Sequence, residues 1–568
     1  MCGIAGIIIK NGAAAPIDVL YRMLDALRHR GPDGNGEYRD KNIGLIHTRL
    51  AIIDPMGGIQ PLHDRNMVLV GNGEIYNYIE LNYELGPQDY RTGSDFEPVM
   101  KLLQRDGTAA FAKLRAMYAQ GSYTPSDGKI IIARDRYGIK PLYYAETPYL
   151  FGFASQPSAL LQLPGISNQL TPKMPQQLLQ VGAIHGRETI YQDIFRILPG
   201  EIMKVGGKRE RIPALPKPQQ SKATFPDAVK LFDKKFENSV MLHQRSDVPY
   251  GMFLSGGLDS TAVLTMMARL NDKPVTTFTC GFASKTVEDE RPRAREIAKA
   301  LRTHHHEVEF TENDFWKLLP QVASALDDPI IDYATLPTFK LAAEAKNYVK
   351  VILSGEGGDE ALGGYGRYRK AMQPWPLGYR AKGRFDGLGI LRDEKPVRTQ
   401  TVYEGTKLQR AQAADFAGWL PDNLLIKLDR CLMANGIEGR TPFLEPQLTD
   451  FCFNLPDDYK VKNGLGKHLL REWLTQYGPK NMDYFNKKQG FTVPVGDWIT
   501  AKSRQLAPLI AASAGVAEIT QCKGIEKLFT HGSKKQTTAI WSLLFYAVWH
   551  KIHIEGAKPD GDVFSLLA

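Results

Sequence analysis

The sequence predicts a two-domain protein, with an α+β amino-terminal block of layered sheets followed by an α/β carboxy-terminal block around a parallel sheet. Three observations predict it. Short strand-like runs separated by turn residues crowd residues 1–205. A proline-rich polar stretch lies within 206–222. From 223 to 568, apolar strands alternate with amphipathic helices, and two of the strands run into glycine-rich loops. A length of 568 residues also exceeds one ordinary core, and roughly two to four domains are expected of it.

Composition excludes several classes. No apolar run reaches the length of a membrane span, and the first residues lack the charged and apolar regions of a signal peptide, so a cytoplasmic protein that binds no membrane is expected. Cys2, Cys280, Cys431, Cys452 and Cys522 are scattered without CxxC spacing, which argues against a disulfide framework and a zinc site. The net charge of +9 suits anionic small substrates, but Lys and Arg form no concentrated block, and no nucleic-acid partner is expected. His304-His305-His306 precedes a strand expected from Glu307 and lacks partners at ligand spacing, so it reads as structural.

In the first block, Ile4 to Ile9 reads as a buried strand and Pro16 to Arg28 as a helix with Leu20, Met23, Leu24 and Leu27 on one face. Strands are expected at Ile43 to His47, Met67 to Gly71, Lys129 to Ala133 and Tyr149 to Ala154. Cys2 is the residue of greatest chemical interest. Removal of Met1 makes it the N-terminus, where one residue carries a thiol and an α-amino group of pKa near ~7.7 to 8.0, a nucleophile with its own base. Four polar clusters follow: Arg28-His29-Arg30-Gly31-Pro32-Asp33, His47-Thr48-Arg49-Leu50, Gly71-Asn72-Gly73-Glu74-Ile75-Tyr76-Asn77 and Thr92-Gly93-Ser94-Asp95.

With Cys2-Gly3-Ile4 these clusters resemble the class II glutamine amidotransferases over the whole block. The resemblance implies an αββα glutaminase in which Cys2 attacks the side-chain amide of glutamine. It places the oxyanion on the Asn72 side-chain amide and the Gly73 N–H. Arg49 then pairs with the α-carboxylate of glutamine, Asp95 and Glu74 receive its α-ammonium, and Leu50, Ala51, Ile52 and Ile53 line the site. The segment Met117 to Tyr123 departs from the apolar run of relatives, and Gln120 within it needs a partner, with a bearing expected on interface packing or the ammonia route.

In the second block, Phe225, Val229, Phe232, Phe236 and Val240 mark a helix, and Tyr250 to Leu254 a strand that enters Ser255-Gly256-Gly257-Leu258-Asp259-Ser260. A strand, glycine loop and helix present backbone N–H groups to an anion. Strands at Val275 to Cys280 and Lys350 to Leu353 alternate with helices near Glu290 to Leu301 and Asp314 to Leu326. The later strand ends in Ser354-Gly355-Glu356-Gly357-Gly358-Asp359-Glu360, so two acid-bearing loops are expected at one sheet edge, with Asp259 and Asp359 as Mg²⁺ ligands.

The first loop resembles that of the ATP pyrophosphatases. Together with Glu438-Gly439-Arg440-Thr441-Pro442-Phe443 and Gly466-Lys467, the block is similar to the synthetase half of the glutamine-hydrolysing asparagine synthetases. That resemblance implies ATP as co-substrate, with Leu254, Cys280, Ser354 and Gly355 lining the nucleotide site and Ser255, Gly256, Gly257, Asp259 and Ser260 binding pyrophosphate. It makes Glu356 an aid to the acyl-adenylate step and Lys467 a contact for developing phosphate charge. It further implies glutamine and aspartate as substrates and a homodimer as a possible assembly. Residues Asp327 to Thr338 are expected near the acceptor, and Gly439 and Thr441, where relatives carry other residues, are expected to bear on acceptor choice. Another carboxylate acceptor is the alternative reading.

Overall fold

The computed structural model describes residues 2–282, 287, 289–374, 385–392, 403–486, 493–532 and 534–568, with the side chains of 522, 523, 531 and 534 outside the description. The amino-terminal block is two antiparallel six-stranded sheets packed face to face. The first contains β1 (Gly3–Ile9), β2 (Gly34–Asp40), β3 (Ile43–Arg49), β8 (Tyr143–Glu146), β9 (Leu150–Ala154) and β10 (Ile194–Arg196), in the order β10-β8-β9-β1-β3-β2. The second contains β4 (Leu62–His63), β5 (Val68–Ile75), β6 (Ala116–Thr124), β7 (Lys129–Arg134), β11 (Glu201–Lys204) and β12 (Arg209–Arg211), in the order β12-β11-β7-β6-β5-β4.

Side-chain alternation builds the layers. Ile4, Leu45, Val70, Ala119, Ile132 and Phe153 meet between the sheets. Ala5 and Ile7 point the other way, toward Leu20, Met23, Leu24 and Leu27 of the helix Ile17–Leu27. The helices Tyr78–Leu85 and Glu97–Asp106 cover the opposite face of the second sheet, completing an αββα stack. Tyr118 belongs to that outer layer and Gln120 shares its face, opposite Gly71, so these two bear on packing beneath the helix Glu97–Asp106, whereas Met117, at the start of the same segment, packs with Leu242, Phe416 and Leu444 of the second block. Both amide atoms of Gln120 are buried without a hydrogen-bond partner among the described residues. Residues 209–211 lie within the stretch expected as a linker, yet they form β12, which pairs with β11.

The second block is a parallel sheet of β13 (Tyr250–Phe253), β14 (Thr276–Phe282), β15 (His304–Phe310), β16 (Val351–Leu353) and β17 (Glu438–Arg440), in the order β15-β14-β13-β16-β17. The chain moves outward from β13 to β15 and then returns to the other side of β13. The topological switch point therefore falls between β13 and β16, whose carboxyl ends carry the two glycine loops. Phe232 and Phe236 cover one face of the sheet with Met252 and Leu353, while Phe278 and Ile352 pack into a larger core on the other. The histidine triplet lies inside β15 rather than before it, because the parallel pairing with β14 already starts at Thr276↔His304.

The blocks are locked by buried charge. Arg30 pairs with Asp429 at 2.8 Å, Asp429 with Arg430 at 3.0 Å, Arg430 with Asp327 at 3.0 Å, and Arg196 with Asp328 at 2.6 Å. All six groups are essentially inaccessible to water. Among the described residues no helix is long and apolar enough to cross a membrane.

Candidate active sites

Cys2 stands at the head of β1 because β1 is central in its sheet, paired to β3 on one side and β9 on the other. Its backbone N–H donates to Oδ1 of Asn72 at 3.0 Å, and the next N–H, of Gly3, donates to Thr48 Oγ1 at 3.0 Å. With Oδ1 so anchored, the buried Nδ2 of Asn72 has no acceptor among the described residues. It is an unspent donor on the side chain that binds the Cys2 backbone. Gly73 has φ +148°, and a Cβ there would come within 2.0 Å of the Met117 carbonyl oxygen, so only glycine lets β5 pass this close to β6. Burial pushes the Cys2 thiol up, a backbone hydrogen bond from Leu50 opposes this, and the negative charge of Glu438 adds to the rise.

One cavity is lined by Cys2, Arg49, Gly73, Glu74, Asp95 and Glu438, with Leu50, Ile52 and Ile53 also in its wall. Ala51 has its N–H tied to Asp33 at 2.8 Å. The Arg49 guanidinium donates to the carbonyls of Pro55 at 3.0 Å and Asp54 at 2.5 Å, which fixes its place at the rim. Asp95 accepts the Ile75 N–H at 2.7 Å. The three acids of the cavity differ in environment. Burial raises the carboxyls of Asp95 and Glu74 above the usual range. Burial acts on Glu438 too, but the surrounding positive charge, that of the N-terminus first and then Arg440 at 2.6 Å and Lys140, outweighs it and holds that carboxyl low. Arg440 also reaches Glu74, at the longer distance of 3.0 Å, which makes Glu438 its closer partner.

Several pocket residues carried no assigned role in the sequence, His47 and Glu438 among them. His47 lies in the cavity wall, and burial beside Arg49 keeps it neutral by pushing it down to about 3. It belongs to a polar cluster legible in the sequence. Glu438 comes from the second block, and no local signal connects positions 2 and 438.

At the sheet edge, Ser255 to Ser260 link β13 to the helix Leu258–Leu270. Ser255 and Ser260 hydroxyls lie 3.1 Å apart, and the Thr261 hydroxyl donates to the Gly257 carbonyl at 2.7 Å, which holds the loop open at the helix start. Leu254 and Cys280 flank it, the latter with its thiol pushed up to about 12 by burial. A Cβ on Gly355 would approach Asp259 Cβ at 2.7 Å and the Ser260 N at 3.0 Å. The absence of a side chain there brings Ser354-Gly355 against the first loop. Lys467, buried and in a left-handed backbone conformation of φ +60°, places its ammonium between the carboxylates of Asp259 and Asp359, the latter at 2.6 Å.

Among the described residues no three His, Cys, Asp or Glu side chains form a metal-holding group. Two carboxylates beside an anion cradle still suit a hard divalent cation whose remaining ligands are phosphate oxygens and water. Glu356 lies 3.4 Å from the ammonium of Lys427, which lies 3.3 Å from Asp332. Burial would lower Lys427, but the two acids hold it charged. Asp332 falls in the segment expected near the acceptor, whereas Lys427 carried no motif. Gly439 packs against Leu428 and Leu432 and its carbonyl accepts Lys140 at 3.2 Å, so it sits at the junction of the blocks.

Comparison with known proteins matches two families to successive parts of the chain. Residues 1–213 match the glutamine amidotransferase domain family and residues 231–551 the asparagine synthase family. Asparagine synthetase [glutamine-hydrolyzing] 1 of Bacillus subtilis is 30% identical over 98% of this chain and 97% of its own length. Asparagine synthetase B [glutamine-hydrolyzing] of Escherichia coli is 30% identical over 88% of this chain and 83% of its own.

Proposed function

The chain belongs to the family of glutamine-hydrolysing asparagine synthetases, and from that premise we infer that it makes asparagine from aspartate, ATP and the amide nitrogen of glutamine. Cys2, freed by removal of Met1, attacks the amide carbon of glutamine, and its proton passes through its own α-amino group to the departing nitrogen. The oxyanion takes hydrogen bonds from Asn72 Nδ2 and the Gly73 N–H. Collapse of this intermediate releases ammonia, and water then cleaves the thioester to glutamate. Arg49 receives the α-carboxylate, and Glu74 with Asp95 the α-ammonium. The Asn72 amide, anchored by the Cys2 N–H at 3.0 Å with its donor end unspent, is the observation that carries this reading.

In the second site the β-carboxylate of aspartate attacks the α-phosphorus of ATP and pyrophosphate leaves. A free carboxylate is a poor electrophile, and adenylation turns the departing oxygen into AMP. Ammonia then displaces AMP to give asparagine. Ser255, Gly256, Gly257 and Ser260 cradle phosphate oxygens, and Lys467 meets the charge that grows on the leaving pyrophosphate. Asp259 and Asp359 would hold Mg²⁺, which supplies charge neutralisation on the phosphates. Glu356 stands beside the acyl-adenylate, kept in place by Lys427. Ammonia passed inside the protein keeps the lone pair that protonation in water would remove.

The test is product analysis with Mg²⁺, ATP, aspartate and either glutamine or ammonium, together with the intact mass of the protein. Asparagine, AMP and pyrophosphate from both nitrogen donors, on a chain lacking Met1, is the expected result. Synthesis from ammonium alone removes the Cys2 half. Adenylation with another carboxylate and none with aspartate replaces the acceptor.

A further inference from the structure

β17 is three residues long, and each of them meets the glutaminase block. The Glu438 side chain walls the cavity that holds Cys2. The Gly439 carbonyl accepts the Lys140 ammonium. Arg440, wholly buried, gives Nε to Glu438 at 2.6 Å and Nη2 to Glu74 at 3.0 Å, while Nη1 donates to the carbonyls of His243 at 2.9 Å and Arg245 at 2.6 Å. On its other side the Arg440 carbonyl accepts the N–H of Ser354 at 2.9 Å. Ser354 opens the second glycine loop. A single residue thus touches a carboxylate of the glutamine pocket through its side chain and the nucleotide loop through its backbone.

Resting on the function inferred above, we propose that Arg440 is a positioning residue that couples the two sites, so that glutamine held at Glu74 and nucleotide held at the Ser354 loop each alter the affinity for the other. The argument is one of shared charge. Without glutamine, one guanidinium divides between two carboxylates. An α-ammonium at Glu74 takes part of that carboxylate, and Arg440 settles toward Glu438, whose charge bears on the Cys2 thiol. In a close-packed interior with each nitrogen of the fork engaged, the guanidinium has no solvent to absorb the change. Its strand carries the displacement to Ser354. Linkage makes the effect reciprocal for the two binding steps.

The experiment compares the unmodified enzyme with R440K and E438Q. Initial glutaminase rates are measured across glutamine concentration, with and without Mg²⁺, ATP and aspartate, alongside the glutamate formed per asparagine and the synthesis driven by ammonium. In the unmodified enzyme the nucleotide and aspartate shift the KM for glutamine by about fivefold or more, and in R440K that shift shrinks to about twofold or less. Glutamate per asparagine rises in R440K while ammonium still yields asparagine, because lysine keeps the charge but cannot fork between two carboxylates. E438Q keeps the shape of the site and is expected to blunt the same response, so the idea stays testable if R440K fails to fold. A purely structural Arg440 would lower both activities together and leave the KM shift and the product ratio as they were. That outcome overturns the proposal, as does an unmodified enzyme whose glutamine KM ignores the nucleotide. Absence of asparagine from either donor in the unmodified enzyme overturns the function instead, so the two failures are distinct.

Discussion

The glutamine pocket and the nucleotide edge both gather acids around a buried cation, yet they are built in opposite ways. The pocket assembles Cys2, Asn72, Asp95 and Glu438 from four distant segments and both blocks. Each side chain owes its place to sheet pairing or to an ion pair across the junction. The nucleotide edge is two consecutive-residue loops at a switch point, brought into contact by Gly355, with Lys467 inserted between their acids. Local sequence therefore nearly specifies the second site, whereas the first is completed by Glu438 only where the blocks meet.

The sharpest break of this comparison is C2A. It removes the proposed nucleophile with almost no change in volume, and glutamine-dependent synthesis should fall by about 10⁴-fold or more while ammonium-dependent synthesis persists. Parallel loss of both would mean that the nucleotide edge cannot form without an intact pocket. K467M is the converse. With the ammonium gone, Asp259 and Asp359 lose their shared partner and the pyrophosphate its charge, so synthesis from either donor should fall by roughly 10³-fold. Glutamate release from glutamine alone should continue, as read by a glutamate assay without ATP. N72A comes next. It removes one proposed donor to the oxyanion, and the glutaminase kcat is expected to fall by about 10²-fold with ammonium-dependent synthesis unaffected.

These differences track what was legible. The strands at Ile43, Lys129 and Val351 and the helix from Phe225 follow from period and punctuation alone, because each is a short apolar run or an amphipathic stripe bounded by turn residues. β12 was hidden in a polar stretch, since Arg209–Arg211 is exposed and gains its strand only by pairing with β11. His304 to His306 extend β15 against β14 for the same reason. Gln120 was legible as an anomaly but not its direction, which depends on which sheet face the helix Glu97–Asp106 covers. In the sites, the cysteine, the glycine loops and their acids announce themselves by residue type and spacing. Glu438, Arg440 and Lys427 do not, because their roles arise from contacts with Cys2, Glu74 and Glu356 far away in the chain. A buried ion pair between distant segments leaves no periodic trace.

The smallest effect, and the one that separates the two regions most finely, is on pH. Asp95 is pushed up to about 7 by burial, and Glu74 is raised as well. An α-ammonium binds their ionised forms, so the KM for glutamine should fall by about tenfold as pH rises from about 6 to 8, the span that carries one carboxyl of pKa near 7 from mostly protonated to mostly ionised. The stability sign is the reverse. A carboxyl whose folded pKa exceeds its unfolded value makes the folded state the tighter proton binder, so the contribution of Asp95 is present at low pH and lost as pH rises through about 7. Glu438, held low by the N-terminal charge and Arg440, contributes above its unfolded pKa and loses that contribution as pH falls. The pocket is thus most stable in a protonation state that binds glutamine poorly. In D95N the KM should be high and nearly flat over the same range. The KM for aspartate in the ammonium reaction is the proper control, since the free ammonia fraction itself changes the rate with pH but not the acceptor's affinity. An inflection near 7 in the aspartate KM, or none in the glutamine KM of the unmodified enzyme, would place the titrating acids outside the glutamine pocket.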